Sequence, residues 1–289
     1  MRKLALAVTV LLVVLGAGFL ALHQLRAARQ QPSPTRSASM VTVREGLSEV
    51  QTLALLSQET GIPLADFQAA AADPAALGIG PQWYARTDGK PAAVTSIDGF
   101  LFPDTYEVDS SSTAHDILQR MVDQFFVVAD RMQLQARAAA AGLSAYEVLV
   151  VASIAQVEGL QVDFGKIARV AYNRIARGMF LGMDTTAIYW LERSGQPRKT
   201  SAQLTHAELD DPNNPYNTGV SSVGLPLGPI SNPGEAALAA ALGPEPGDWL
   251  YFTTVDHAGT TRFAISQRDR CRDIDEAIRN GVLGRSSRC

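Results

Sequence analysis

Residues 4–22 form an unbroken apolar run built only of Leu, Ala, Val, Thr, Gly and Phe. At about 1.5 Å of rise per residue, a helix of that length spans a hydrocarbon core of roughly 30 Å. The run predicts a single uncleaved membrane helix with its short N-terminus in the cytoplasm and the remainder exported. A cleaved signal peptide is the alternative, because Gly16-Ala17-Gly18 has the small-x-small form, yet the apolar run continues past it to Leu22. Residues 23–40, which include the Pro- and Ser-rich QQPSPTRSAS, read as a tether.

Beyond the tether the periodicity changes repeatedly. Val41 and Val43 alternate as in a short strand, and Ser48 is placed to cap a helix carrying Val50, Leu53 and Leu56 as far as Gly61. A second short helix over 64–72 and a strand near Val94 would complete a small module at 41–96. The three aromatics of IDGFLFPDTYEV (97–108) suit core packing. An amphipathic helix follows, with Ile117, Leu118, Met121, Val122 and Phe125 on one face. Ser144 and Glu147 have capping-box spacing at the head of another helix. A further helix runs from Asp163, its expected N-cap, to Gly178, with Arg174 and Arg177 in its last turn. Asn232-Pro233-Gly234-Glu235 reads as N-cap, N1 proline and capping glutamate of an Ala-rich helix. Two β-rich runs over 249–255 and 260–266 make a hairpin, and a helix over 268–280 closes the pattern. The expected fold is α+β, with a membrane helix at 1–22, the module at 41–96 and a larger mixed domain at 97–289.

Charge narrows the function classes. The net charge is −4, but residues 1–44 hold six basic side chains and no acidic one, so the rest carries −10. An acidic body without a basic stripe repels phosphate backbones, which argues against nucleic-acid binding. Cys271 and Cys289 lack CxxC or metal-ligand spacing, leaving one disulfide or two idle thiols, and the four His are scattered. No metal or cofactor is expected.

Val150, Val151 and Ile154 form an apolar stripe, and Glu158 falls eight residues after Val150 on the same face. Gly159 is the expected helix terminator, which sets Glu158 near the negative end of the helix dipole. Partial burial and that dipole both disfavour the carboxylate and raise its pKa, as a general acid near neutral pH requires. On helix geometry alone, a frayed and solvated glutamate fits the same spacing. The irregular stretch 210–233, dense in Pro, Gly and Asn, is longer than the roughly 15 residues at which loops are usually functional or disordered. Its Tyr216 and small polar residues suit a sugar.

ASIAQVEG (152–159), VAYNRIARGM (170–179), the segment around Asp184-Thr185-Thr186, PYNT (215–218), GLPLGPISNPG (224–234), DWLYF (248–252) and GFLFPDTYEV (99–108) form a set. Together they resemble the YceG-like, or MltG, endolytic murein transglycosylases over roughly residues 41–280. The resemblance implies a single-pass anchor in the cell membrane, a LysM-like module and a catalytic domain that cuts peptidoglycan glycan strands, beside peptidoglycan synthases. It implies Glu158 as the catalytic acid, the last Glu of a motif like ASIVEKE. Asn173, Asp184, Thr186, Tyr189, Tyr216, Asn217 and Asn232 lie in or beside matching motifs as candidates to line the substrate cleft. Departures are Gln156 for an earlier Glu, Gly182 for Gln, Thr185 for the Pro of a DPT motif, Gly219 for the last Tyr of YNTY, and Leu227 for Pro.

A lytic transglycosylase needs one acid. Ordinary glycosidases need a carboxylate pair, for which Asp163 and Asp184 are the available partners, although capping and loop structure explain both. A hydrolytic muramidase and an inactive wall-binding scaffold are the competing functions.

Overall fold

The computed structural model describes residues 39–219 and 223–284. The expected anchor at 1–22, the tether as far as residue 38 and Cys289 lie outside them, while Cys271 is disulfide-bonded. Among the described residues, no single helix is long and apolar enough to cross a membrane.

Alternation at Val41 and Val43 gives β1 (Ser39–Thr42), which begins two residues inside the expected tether. Ser48 and Gln51 form a reciprocal capping box on α1 (Glu49–Thr60), and Gly61 ends it at φ 73°, a left-handed position that glycine takes without strain. The second helix, α2, spans Leu64–Ala71. No strand forms near Val94, which lies 58% exposed in a turn after Pro91. The partner of β1 is β2 (Thr105–Val108), antiparallel, with Val41 opposite Tyr106. The sequence TYEV alternates, so Tyr106 and Val108 point into the core. Val94 has no such alternating neighbours.

Helix α3 (Ala114–Arg131) starts at a Thr113–Asp116 capping box and buries all five of its expected apolar residues. Phe125 meets Phe100 at 5.1 Å and Trp83 at 5.5 Å, and Phe100 stacks on Tyr146 at 6.4 Å. This aromatic cluster joins α3, the 97–108 segment and the head of α5. The short α4 (Leu134–Ala140) leads into α5 (Ala145–Glu158), which is buried continuously from Tyr146 to Ala155. A helix apolar on every side belongs at the centre, and α5 is packed by α6 (Phe164–Ala176), α7 (Asp184–Arg193) and α9 (Glu235–Leu242). Glu147, 1% exposed, caps α5 and also accepts from the Thr87 and Asp88 amides at 3.0 Å and the Thr87 hydroxyl at 2.7 Å.

Two expected caps differ. A 3-10 turn over Gln161–Asp163 runs straight into α6, so Asp163 already has helical backbone and its side chain caps nothing. Helix α9 starts after Gly234, because the Asn232 side chain is claimed elsewhere. Its Oδ1 accepts from the amides of Gly99 at 2.8 Å and Leu101 at 3.1 Å, and its Nδ2 donates to Leu47 O at 2.9 Å. A short α8 (His206–Leu209) immediately precedes the irregular region at 210–233. The hairpin of β3 (Tyr251–Thr254) and β4 (Thr261–Ala264) forms in the expected place, with α10 (Gln267–Arg279) against it. Helices with two small antiparallel sheets make the fold α+β.

Candidate active site

Helix α5 ends on Glu158, and the chain turns away at Gly159, whose extended φ of −158° any residue could adopt. A Cβ there would fall 2.4 Å from Ile167 Cδ1, so a larger residue would force that side chain to shift. The carboxyl of Glu158 thus stands at the C-terminus of a buried helix, on the wall of a cavity of about 400 Å³. The other walls come from the start of α7, from β3, from α10 and from the segment after it: Asp184, Phe252, Thr253, Ile274 and Leu283 are among the lining residues.

Helix α7 points its N-terminus at Glu158. The Thr185 hydroxyl donates to Glu158 Oε1. Burial pushes the Glu158 carboxyl up to about 7. The hydroxyl of Thr185 pulls the other way, the charge of Asp184 adds to the rise, and Arg174 and the Thr185 amide oppose it. Desolvation wins. Burial also raises Asp184, against a hydrogen bond from Ser201. The site therefore holds a carboxyl able to exist in either protonation state near neutrality, with a hydroxyl fixed on one of its oxygens.

Of the eight residues expected in the site, Glu158 and Asp184 line this cavity. The other six do not. Thr186, 1% exposed, donates to Met183 O at 2.7 Å and lies 3.1 Å from the Thr218 hydroxyl. Asn217 bonds the carbonyl of Leu209 at 2.8 Å and the amide of Gly219 at 2.7 Å, folding the 210–219 loop on itself. Tyr216 packs edge-on against Tyr189 at 4.7 Å, and Tyr189 donates to Asp98 at 2.6 Å. Asn173 holds the carbonyls of Gly247 and Trp249 at 3.0 and 2.9 Å, steering the chain into β3. Asn232 braces the loops described above. These six spend their polar atoms on the protein itself.

Two residues that the motifs did not single out are on the wall: Arg174 and Arg270. Arg174 has the last-turn position that suits a helix dipole, but its guanidinium turns inward, with Nε donating to Leu250 O at 2.5 Å and Nη1 to Leu181 O. Arg270 reaches the cavity from α10, a helix distant in sequence, and nothing local announces it.

Known proteins match most of this chain. Residues 19–276 match the YceG-like family. An endolytic murein transglycosylase of Streptococcus pneumoniae is 27% identical over 186 residues, which cover 63% of this chain and 32% of that protein. An endolytic murein transglycosylase of Bacillus subtilis is 32% identical over 160 residues, covering 54% of this chain and 41% of the relative. The matched stretch thus spans about a third to two fifths of these curated relatives. A crystal structure of a YceG-like protein from Listeria monocytogenes superposes with a TM-score of 0.70 at 27% identity, covering 81% of this chain and 75% of the other. With a family match over most of its length and a shared fold, the chain belongs to the YceG-like family.

Proposed function

We propose that this protein is an endolytic lytic transglycosylase that cleaves nascent peptidoglycan glycan between MurNAc and GlcNAc and leaves 1,6-anhydro-MurNAc ends. One observation carries the reading: the Glu158 carboxyl, bonded by Thr185 on a cavity wall, with its pKa pushed up to about 7. The names of the relatives point the same way.

In this mechanism Thr185 occupies Oε1 and leaves Oε2 to carry the proton. Protonated Glu158 gives it to the bridging oxygen as the bond from C1 of MurNAc breaks, releasing the GlcNAc 4-hydroxyl. Positive charge develops at C1. The MurNAc 6-hydroxyl attacks C1 from within the same sugar, and the Glu158 carboxylate takes its proton. The acid is regenerated and no water is consumed. The Thr185 hydroxyl and amide stabilise the carboxylate between the two transfers.

The apolar run at 4–22 supports a single-pass anchor that leaves the body extracytoplasmic, at the cell membrane where strands are made. The order β1–α1–α2–β2 supports a LysM-like module that is closed by β2, past the expected bound at residue 96, ahead of a catalytic domain in the remainder. Internal cleavage there would set strand length beside the peptidoglycan synthases. Asp184, which lines the same cavity as Glu158, favours hydrolysis by a carboxylate pair as the second reading.

The full chain and its Glu158→Gln variant, incubated with isolated glycan strands, test the proposal by product mass. Anhydro ends that disappear in the variant are expected. Products heavier by one water mean hydrolysis, and anhydro products formed by the variant at the parental rate defeat the assignment.

A further inference from the structure

Four charged residues line the cavity: Glu158, Asp184, Arg174 and Arg270. Both arginines lie against one ring, with their Cζ atoms 5.3 and 5.4 Å from the centroid of Tyr251. Arg174 is anchored by the neutral carbonyls of Leu250 and Leu181, so its charge meets no carboxylate there. Arg270 makes no side-chain hydrogen bond or ion pair among the described residues; its partner is the Tyr251 ring.

Carboxylates are plentiful in a body carrying −10, and several arginines do pair with them. Arg193 pairs with Glu49 at 3.1 Å and Arg198 with Glu192 at 3.1 Å. While Glu158 holds its proton, two guanidinium groups on the cavity wall face a single Asp184 carboxylate. Burial and then the neighbouring Arg270 charge disfavour the Arg174 cation, which marks the pair as mutually repelling. One further anion in the cavity would relieve that repulsion. The Arg270 guanidinium, without a hydrogen-bond partner among the described residues, matches the planar, bidentate geometry of a carboxylate.

We propose that Arg270, with Arg174 beside it, forms a subsite for the carboxylate borne by the muramic acid residue of the strand. The proposal deepens the transglycosylase reading and rests on it. Cutting on the MurNAc side of each disaccharide requires a signal that distinguishes the two sugars, and the acid is carried by MurNAc alone. Its source is the lactyl group in peptide-free strands or the stem peptide where one is attached.

Binding measured in the full chain with Glu158→Gln, which leaves the strand intact, tests this by calorimetry with three strands. These are peptide-free glycan, peptide-bearing glycan, and peptide-free glycan whose lactyl carboxyls have been coupled to methylamine. The neutral strand is expected to bind roughly tenfold more weakly than its acidic parent. Arg270→Gln removes that difference, Arg270→Lys, which keeps the charge without the fork, retains part of it, and Arg268→Gln, exposed on the same helix, retains all of it. An Arg270-dependent preference confined to peptide-bearing strands assigns the carboxylate to the stem. Equal affinity for acidic and neutral strands, or a preference untouched by Arg270→Gln, overturns the subsite. Cleavage by the parental chain is scored separately, so the reaction and the subsite fail independently.

Discussion

The Thr185 hydroxyl donates to Glu158 Oε1 across 27 residues of chain, from the first turn of one helix to the last residue of another. The motif that this chain resembles has proline at that position, which offers neither a hydroxyl nor an amide. Here both groups face the carboxyl and lower its pKa, against burial that raises it.

Because protonated Glu158 starts the proposed reaction, kcat/KM should fall as pH rises above about 7. Thr185→Val removes a group that favours the carboxylate, so the falling limb should move to higher pH, with kcat reduced by roughly tenfold or less. Asp184→Asn removes a charge that disfavours the carboxylate, and the limb should move to lower pH. Complete profiles for the two variants check this. Shifts in the same direction would mean that the titrating group is not Glu158. Total inactivity of Asp184→Asn in a folded protein would support a carboxylate pair.

Stability should follow the same group. The folded state raises Glu158 from 4.5 to about 7, so the native protein holds this proton more tightly than the unfolded chain. Burial of the ionised form therefore costs stability increasingly between pH 4.5 and 7 and fully above it. Glu158→Gln avoids that cost. Its stability advantage over the parent, read as a higher Tm, should be small at pH 5 and grow by pH 8, with an upper bound of roughly 3–4 kcal/mol in free energy. Thermal melts at both values decide it, and a pH-independent difference would show that the carboxyl is not desolvated.

Asn232 separates a structural role from substrate contact. Its three side-chain hydrogen bonds join Leu47, Gly99 and Leu101 from inside the protein, where it is 1% exposed. Asn232→Ala leaves the buried amides of Gly99 and Leu101 without that acceptor, so urea denaturation should show a loss of roughly 2–4 kcal/mol. Activity measured well below the transition should stay within a few-fold of the parent. Normal stability with abolished turnover would instead put Asn232 in contact with the glycan.

Helix existence was legible wherever a cap preceded a periodic apolar face. Ser48 and Ser144 each head a helix through a capping box, and Gly61 ends one. The signals that failed were those in which a side chain had a distant competitor. Asn232 resembles an N-cap locally, but its Oδ1 is taken by the amides of Gly99 and Leu101. Val94 has β propensity without alternation, and TYEV supplies the strand that pairs with β1. Propensity describes a neighbourhood of a few residues, and these outcomes depend on partners far along the chain.

The stripe ending at Glu158, the helix stopping there and the hairpin near the C-terminus are local consequences of side-chain spacing, and the sequence by itself determined them. Only the tertiary structure decided what surrounds that carboxyl: Thr185 and Asp184 from α7, Arg174 turned inward from α6, and Arg270 brought in on α10. Desolvation and charge act through space over a few ångströms, whatever the separation along the chain. A proton affinity is therefore set by the assembled walls and is invisible to any pattern read residue by residue.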